Sequence, residues 1–237
     1  MKSSLVVRIG NSSVEFSSKS GEIIRSDVGD WSKLIQSIKR RKIDRVFVAS
    51  VNPPMTKALK KNCRKLKVSV VEIRSQDVPL KSPYKNTLGV DRILNVFALS
   101  QRSETSFVLI DLGTATTVEF FDSRRGYLGG WIAPGAWMLS KALRQNTALL
   151  PAVNVGRMKS LKRVVGSDTQ KTILLGIRAM IQGLVSEAEW TARQVFGTRP
   201  IHCFVTGGGW GDLGRLDGWK HVSGLQLEAL RKIADNR

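Results

Sequence analysis

The stretches VVRIGNSSVEF, residues 6–16, and LIDLGTATTVEF, residues 109–120, decide how this chain folds. Each opens on an apolar strand. Each turns at a glycine followed by small hydroxyl or amide residues, then returns on Val-Glu-Phe, with one extra residue in the second copy. An apolar, β-branched run, then Gly/Asn punctuation, then alternation, predicts strand, tight turn and strand. The same unit about a hundred residues further on predicts a duplicated domain. Two such turns facing each other across a cleft can grip a polyphosphate. Backbone N–H groups at glycine approach anionic oxygens with no Cβ in the way, and Ser or Thr hydroxyls add donors. Asp111 closes the second strand and is a candidate cation ligand that would offset phosphate charge. Arg8 stands in the equivalent place of the first copy.

Outward from the first copy, Gly21 opens a third strand at 22–25. A helix over 30–40 puts Trp31, Leu34, Ile35 and Ile38 on one face. The run VFVASV, 46–51, reads as a strand buried on both faces, ended by Pro53 and Pro54. A helix over 55–66 carries Met55, Leu59, Cys63 and Leu66 on one stripe and Lys57, Lys60, Lys61, Arg64 and Lys65 opposite, and a strand follows at 68–73. That order belongs to a layered α/β domain. The second copy restarts the pattern with strands at 107–111, 117–121 and near Tyr127. A long helix follows over 169–195, then a strand at 202–206 ending in three glycines, and a final helix over 225–234. The expected halves are 1–106 and 107–237, with KSPYKN at 81–86 as the loop ahead of the second.

The 237 residues carry 42% hydrophobic and 7% aromatic side chains, which excludes wholesale disorder. Cys63 and Cys203 are too few for a disulfide scaffold, and His202 and His221 too few for a histidine metal centre. No apolar run suits a signal peptide or a bilayer span, so a cytoplasmic protein with no membrane partner is expected. Lys and Arg outnumber Asp and Glu by 38 to 19, a net charge of +19. Such a field attracts polyanions. The basic stretches at 39–42, 57–67 and 157–163 lack a helix-turn-helix, zinc-finger or RNA-recognition signature. They lack aromatic interleaving too, so any nucleic-acid contact would be non-specific.

Several motifs together resemble type III pantothenate kinase: DLGTATT (111–117), GGWIAPG (129–135), NTALLP (146–151) and LGVDR (88–92), which looks like the family's Gly-x-Asp-Arg motif. SDTQKTILLGI, VTGGG and HVSGLQLEALRKIA extend the likeness, in family order, over essentially the whole chain. The resemblance implies the duplicated actin-like α/β fold of acetate and sugar kinases, Hsp70 and actin, in a homodimer. It implies ATP-dependent phosphorylation of the pantothenate hydroxyl, the first step towards coenzyme A. ATP would come with Mg2+ and with a monovalent cation, K+ or NH4+. Asp91 would be the base for that hydroxyl. Gly89, Val90, Asp91 and Arg92, with Tyr84 upstream and Thr169, would bind pantothenate. Arg8, Ile9, Gly10, Asn11, Ser12 and Ser13 would form the first phosphate loop. Thr114, Gly207 and Gly208 would contact the nucleotide, and Asp111 would ligate the monovalent cation.

These roles suit the residue types. An alcohol is a poor nucleophile until a carboxylate within hydrogen-bond reach accepts its proton, and an Arg pairs the carboxylate end of the substrate. One position departs from the family: its first loop reads Asp-x-Gly-Asn-Thr, and here Arg8 replaces the Asp and Ser12 the Thr. A guanidinium repels a divalent ion yet can itself pair with phosphate. Two alternatives therefore stand beside the kinase: an impaired homologue acting as a nucleotide-binding or regulatory protein, and a basic nucleic-acid-binding protein.

Overall fold

The computed structural model describes residues 3–18, 21–162, 164–213 and 216–237. Two compact units emerge, Met1–Arg102 with Gly224–Arg237, and Ser103–Ser223.

The first unit runs β1 (Ser4–Ile9), β2 (Ser13–Ser17), β3 (Ile23–Asp27), α1 (Ser32–Arg40), β4 (Arg45–Ser50), α2 (Pro53–Lys65), β5 (Ser69–Glu72) and α3 (Val90–Ser100). Its sheet has the order β3-β2-β1-β4-β5, antiparallel through β3, β2 and β1, then parallel. The second unit runs β6 (Ser106–Leu112), β7 (Ala115–Asp122), β8 (Gly126–Pro134), α4 (Ala136–Asn146), α5 (Thr169–Phe196), β9 (Ile201–Thr206), α6 (Trp210–Leu213) and β10 (Trp219–His221). Its sheet order, β10-β9-β6-β7-β8, is the first order read from the other end. Each is an antiparallel meander continued by two parallel strands, so the expected duplication is present in the topology. The last helix, α7 (Leu225–Asp235), packs on β1 and α3 of the first unit.

The Val-Glu-Phe match is a coincidence within that duplication. Arg8 faces Glu15 across the first hairpin, while its counterpart Asp111 faces Thr117, and Glu119 faces Leu109. The two glutamates are therefore not equivalent. The second turn is one residue shorter than the first, not longer as the sequence match requires.

In the first unit, Leu34 and Ile38 of α1 and Leu59 and Cys63 of α2 pack with Leu5, Val7, Val46 and Val48 into one core on a single face of the sheet. Each fully buried leucine there contributes roughly 1.5–3 kcal/mol. Helix α2 starts two residues ahead of the expected position. Pro53 and Pro54 sit in its first turn, where no N–H is needed, and Asn52 Oδ1 caps it by accepting from the Met55 N–H (3.4 Å). Helix α3 gives no periodic signal in sequence because Val90 and every residue from Arg92 to Leu99 are buried. In the second unit, Ile173, Ile177, Ile181, Val185 and Phe196 of α5 cover Val108, Ile110, Val118 and Phe120. Arg199 and Arg125 converge on the buried Asp122, joining the β7–β8 turn to the segment after α5.

Candidate active site

In the first unit, the turn after β1 closes with the Gly10 N–H donating to the Ser13 carbonyl (2.9 Å). Arg8 reaches over this turn. Its Nε donates to Gln226 Oε1 on α7 (3.0 Å) and its Nη1 donates to Ser13 Oγ (3.1 Å). Its Nη1 is also 3.9 Å from Glu15 Oε2, and Arg25 Nε lies 3.7 Å from the other Glu15 oxygen. A Cβ on residue 10 would stand 3.1 Å from the Arg8 guanidinium carbon, so glycine leaves the room that Arg8 uses. A guanidinium offers donors and no acceptor. The turn therefore does not suit a metal ion at position 8, and it does suit an anionic oxygen.

In the same unit, the Tyr84 carbonyl accepts the N–H groups of Thr87 and Leu88 (both 3.2 Å), and the Ser75 hydroxyl donates to the Leu88 carbonyl. That turn delivers the chain to Gly89, the N-cap of α3. Asp91 stands in the first helical turn, half-buried, with Oδ1 folded back to 2.6 Å from the place a Cβ of residue 89 would take. Arg92 beside it is only 8% exposed. Gly89, Val90, Asp91 and Arg92 thus share the start of α3.

In the second unit, Asp111 is paired in register with Thr117 on β7 and Thr206 on β9. The next residue after β9, Gly207, has φ of +93°, and a Cβ on it would lie 2.5 Å from Asp111 Oδ1. Only glycine satisfies both demands. The Gly209 N–H donates to the Leu112 carbonyl (2.8 Å), and the Gly135 N–H donates to the Thr114 carbonyl (3.2 Å). Three turns that are far apart in sequence, 111–116, 134–135 and 207–209, are thereby tied together. The Thr116 hydroxyl, 1% exposed, has no hydrogen-bond partner among the described residues. The glycines at these turns let an anionic oxygen approach the backbone closely, as a phosphate needs, whereas Thr116 pairs with Leu112 on the core face of the sheet. The Asp111 carboxylate is a hard oxygen donor of the kind that alkali and alkaline-earth cations take. Among the described residues no three His, Cys, Asp or Glu side chains cluster to hold a metal ion, so one carboxylate would act with backbone or phosphate oxygens.

Thr169 is the first residue of α5, after Asp168, whose Oδ1 accepts the Lys171 N–H (2.9 Å). It is exposed and lines an apolar groove of about 930 Å³ with Leu139 and Leu143 of α4 and Ile173, Ile177 and Met180 of α5. Of the basic stretch 157–163, Arg163 lies outside the described residues. The residues sequence reading did not single out are Gln226 and Glu15. Gln226 is 218 positions from the Arg8 it holds, and no local pattern links them.

Two like-ordered mixed sheets with glycine turns at matching strand ends define the duplicated actin-like fold of the acetate and sugar kinase, Hsp70 and actin class. A Baf family protein from Campylobacter jejuni superposes with a TM-score of 0.66 at 20% identity, covering 98% of both chains. A Sinorhizobium meliloti protein described as a 2-dehydro-3-deoxygalactonokinase does so at 0.51 and 11% identity, covering 98% and 96%. Within that class, the family model of type III pantothenate kinase matches residues 4–189, and the chain belongs to this family. Type III pantothenate kinase from Desulforapulum autotrophicum is 34% identical over 208 residues, 81% of this chain and 75% of that protein. The corresponding protein of Syntrophus aciditrophicus is 27% identical over 86% of this chain and 87% of its own length. The match to the Persephonella marina protein is 33% identical over 64% of this chain and spans 61% of that relative's length.

Proposed function

We propose that the chain is a cytoplasmic kinase that transfers the γ-phosphoryl group of ATP to the hydroxyl of pantothenate, with turnover held down by Arg8. The observation that carries this reading is Asp91, presented with Arg92 at the start of α3 within the family's Gly-x-Asp-Arg motif. Asp91 accepts the proton of the substrate hydroxyl as that oxygen attacks, and Arg92 pairs with the substrate carboxylate. Gly89, Val90 and Tyr84 are the other pantothenate contacts in the first unit, and Thr169 is the candidate contact in the second. The turn at residues 9–13 with Arg8, and the cradle of Thr114, Gly207 and Gly208, hold the phosphates. Phosphoryl transfer depends on positioning and on neutralising the phosphate charge. Mg2+ arriving with ATP supplies part of that neutralisation. Asp111 is the ligand for K+ or NH4+. Arg8 supplies a fixed cation at the first turn, which favours holding the nucleotide over organising a metal.

The chain forms a homodimer through the second unit. Leu149 is 93% exposed and Met180, beside the α4–α5 groove, 61%. A partner copy covering this face would bury them. Sedimentation at several concentrations checks the dimer, and Leu149→Lys with Met180→Lys shifts it to monomer. A wild type that stays at 26.2 kDa contradicts it. For the activity, mass spectrometry of the product from ATP and pantothenate will show one added phosphate, and an analogue lacking the hydroxyl will give none. Phosphate transfer to the analogue at the same rate defeats the reading.

A further inference from the structure

The positive charge of this chain is concentrated. Residues 32–42 and 53–67, which contain α1 and α2, hold eleven of the 38 Lys and Arg and none of the 19 Asp and Glu. The other 211 of the 237 residues carry 27 basic against 19 acidic side chains, which is near balance by comparison. A uniformly basic surface would not produce that split.

The fold turns the concentration into one face. The apolar stripes of α1 and α2 enter the same core, so both helices cover the same side of the first sheet. Their outward sides leave Lys39, Arg40, Lys42, Lys57, Lys61 and Arg64 exposed, with Lys60, Lys65 and Lys67 exposed among them. Lys57, Lys61, Arg64 and Lys65 recur at helical spacing over about 12 Å of α2. Beyond them, Lys60, Arg64, Lys67 and Ser69 line a shallow 450 Å³ pocket. Acidic groups meet this layer at its margins: Glu72 pairs with Lys60 (2.6 Å), Glu22 with Arg41 (3.5 Å), Asp30 accepts from Ser32 beside Lys33, and Asp44 follows Lys42 in the chain.

We propose that the α1–α2 face docks on the phosphate backbone of a nucleic-acid duplex, without reading its sequence. A helix that lies on a membrane needs exposed aromatic or aliphatic residues beside its cations. Among the described residues the large exposed apolar side chains all lie outside α1 and α2, whose own are buried or partly buried. An acidic protein partner would likewise require apolar anchors at the centre of the contact. Single strands call for stacking aromatics. A duplex backbone asks for cations alone, one phosphate charge per about 1.7 Å of helix axis.

The test is fluorescence anisotropy with a labelled 20-base-pair duplex across a KCl series. The four-site variant Lys57→Gln, Lys61→Gln, Arg64→Gln and Lys65→Gln reduces the slope of log K against log[salt] by about 4, roughly one per cation removed. A control variant, Arg124→Gln with Lys159→Gln and Lys162→Gln in the second unit, keeps the wild-type slope. ATP binding and melting temperature stay at wild-type values in both. A second variant, Lys39→Gln with Arg40→Gln and Lys42→Gln, lowers the slope by about 3. Three outcomes overturn the proposal: no salt-dependent duplex binding by the wild type, equal losses in the α2 and control variants, or preference for phosphatidylserine vesicles over duplex at equal phosphate concentration.

Discussion

Replacing Arg8 by Asp exchanges the cation over the first turn for the carboxylate that its counterpart Asp111 already supplies in the second unit. In the wild type the Arg8 side chain is 25% exposed and 3.9 Å from Glu15. A unit pair at about 4 Å and an effective dielectric of 20 is worth roughly 4 kcal/mol. Partial exposure and salt reduce this to about 1.5–2 kcal/mol. Applied to a bound triphosphate, that corresponds to a roughly ten- to thirty-fold contribution of Arg8 to ATP affinity in EDTA. Calorimetry will therefore show Arg8→Gln losing that factor without magnesium, and Arg8→Asp losing more, because it also sets a like charge against the phosphates. Only Arg8→Asp will recover affinity as magnesium is added, because only it gains a carboxylate. Its turnover of pantothenate will also rise above wild type. Gln226→Leu removes the 3.0 Å tether on Nε and keeps the charge, so it will weaken binding less than Arg8→Gln. Superimposable magnesium titrations and equal turnover for wild type and Arg8→Asp would refute this reasoning and show the charge at position 8 to be neutral.

Asp91→Asn keeps size and removes the base. Turnover will fall roughly a hundred- to ten-thousand-fold with ATP affinity unchanged, and wild-type turnover in single-turnover experiments would end the assignment. Asp122 is fully buried, and its carboxyl is held well below the usual carboxylate range, first by the Arg199 guanidinium and then by the N–H groups of residues 124 and 125. Its stabilisation is complete above the unfolded aspartate value of about 3.9 and is lost as the pH falls through the lower folded value. Asp122→Asn will cost about 2 kcal/mol at pH 7 in urea denaturation, and the gap to wild type will narrow below about pH 4. A gap independent of pH would remove the ion pair from the explanation.

The strands, the long α5 and the glycine turns were legible because each rests on local chemistry. Helix α5 shows its stripe over many turns, and the strand Val46, Phe47, Val48 and Ala49 is buried on both faces as its apolar run implies. Helix α3 was not legible as a helix, since buried residues surround it on all sides and erase its period. Helix α4 was hidden by Trp137 and Met138, which point out of the unit rather than into its core. The duplication was legible, yet part of the signal that announced it, Val-Glu-Phe, falls out of register. Strand pairing is set by turn length, and a three-residue match cannot fix it. Asp91 and Asp111 stand out in sequence because each sits in a contiguous motif, but Thr206 and Gly207, which meet Asp111, lie beyond α5 and no local pattern links them to it. The seat of Arg8 was not legible either, because Gln226, Ser13 and Glu15 meet it through sheet register and through a helix from the far end of the chain.

Pantothenate-dependent release of ADP, followed in a coupled assay for wild type, Arg8→Asp and Asp91→Asn side by side, tests the central claim most directly. The account predicts slow ADP release by the wild type that requires pantothenate, faster release by Arg8→Asp, and release reduced at least a hundred-fold, roughly, by Asp91→Asn. ADP release that ignores pantothenate, or none above background in wild type and Arg8→Asp alike, would contradict it.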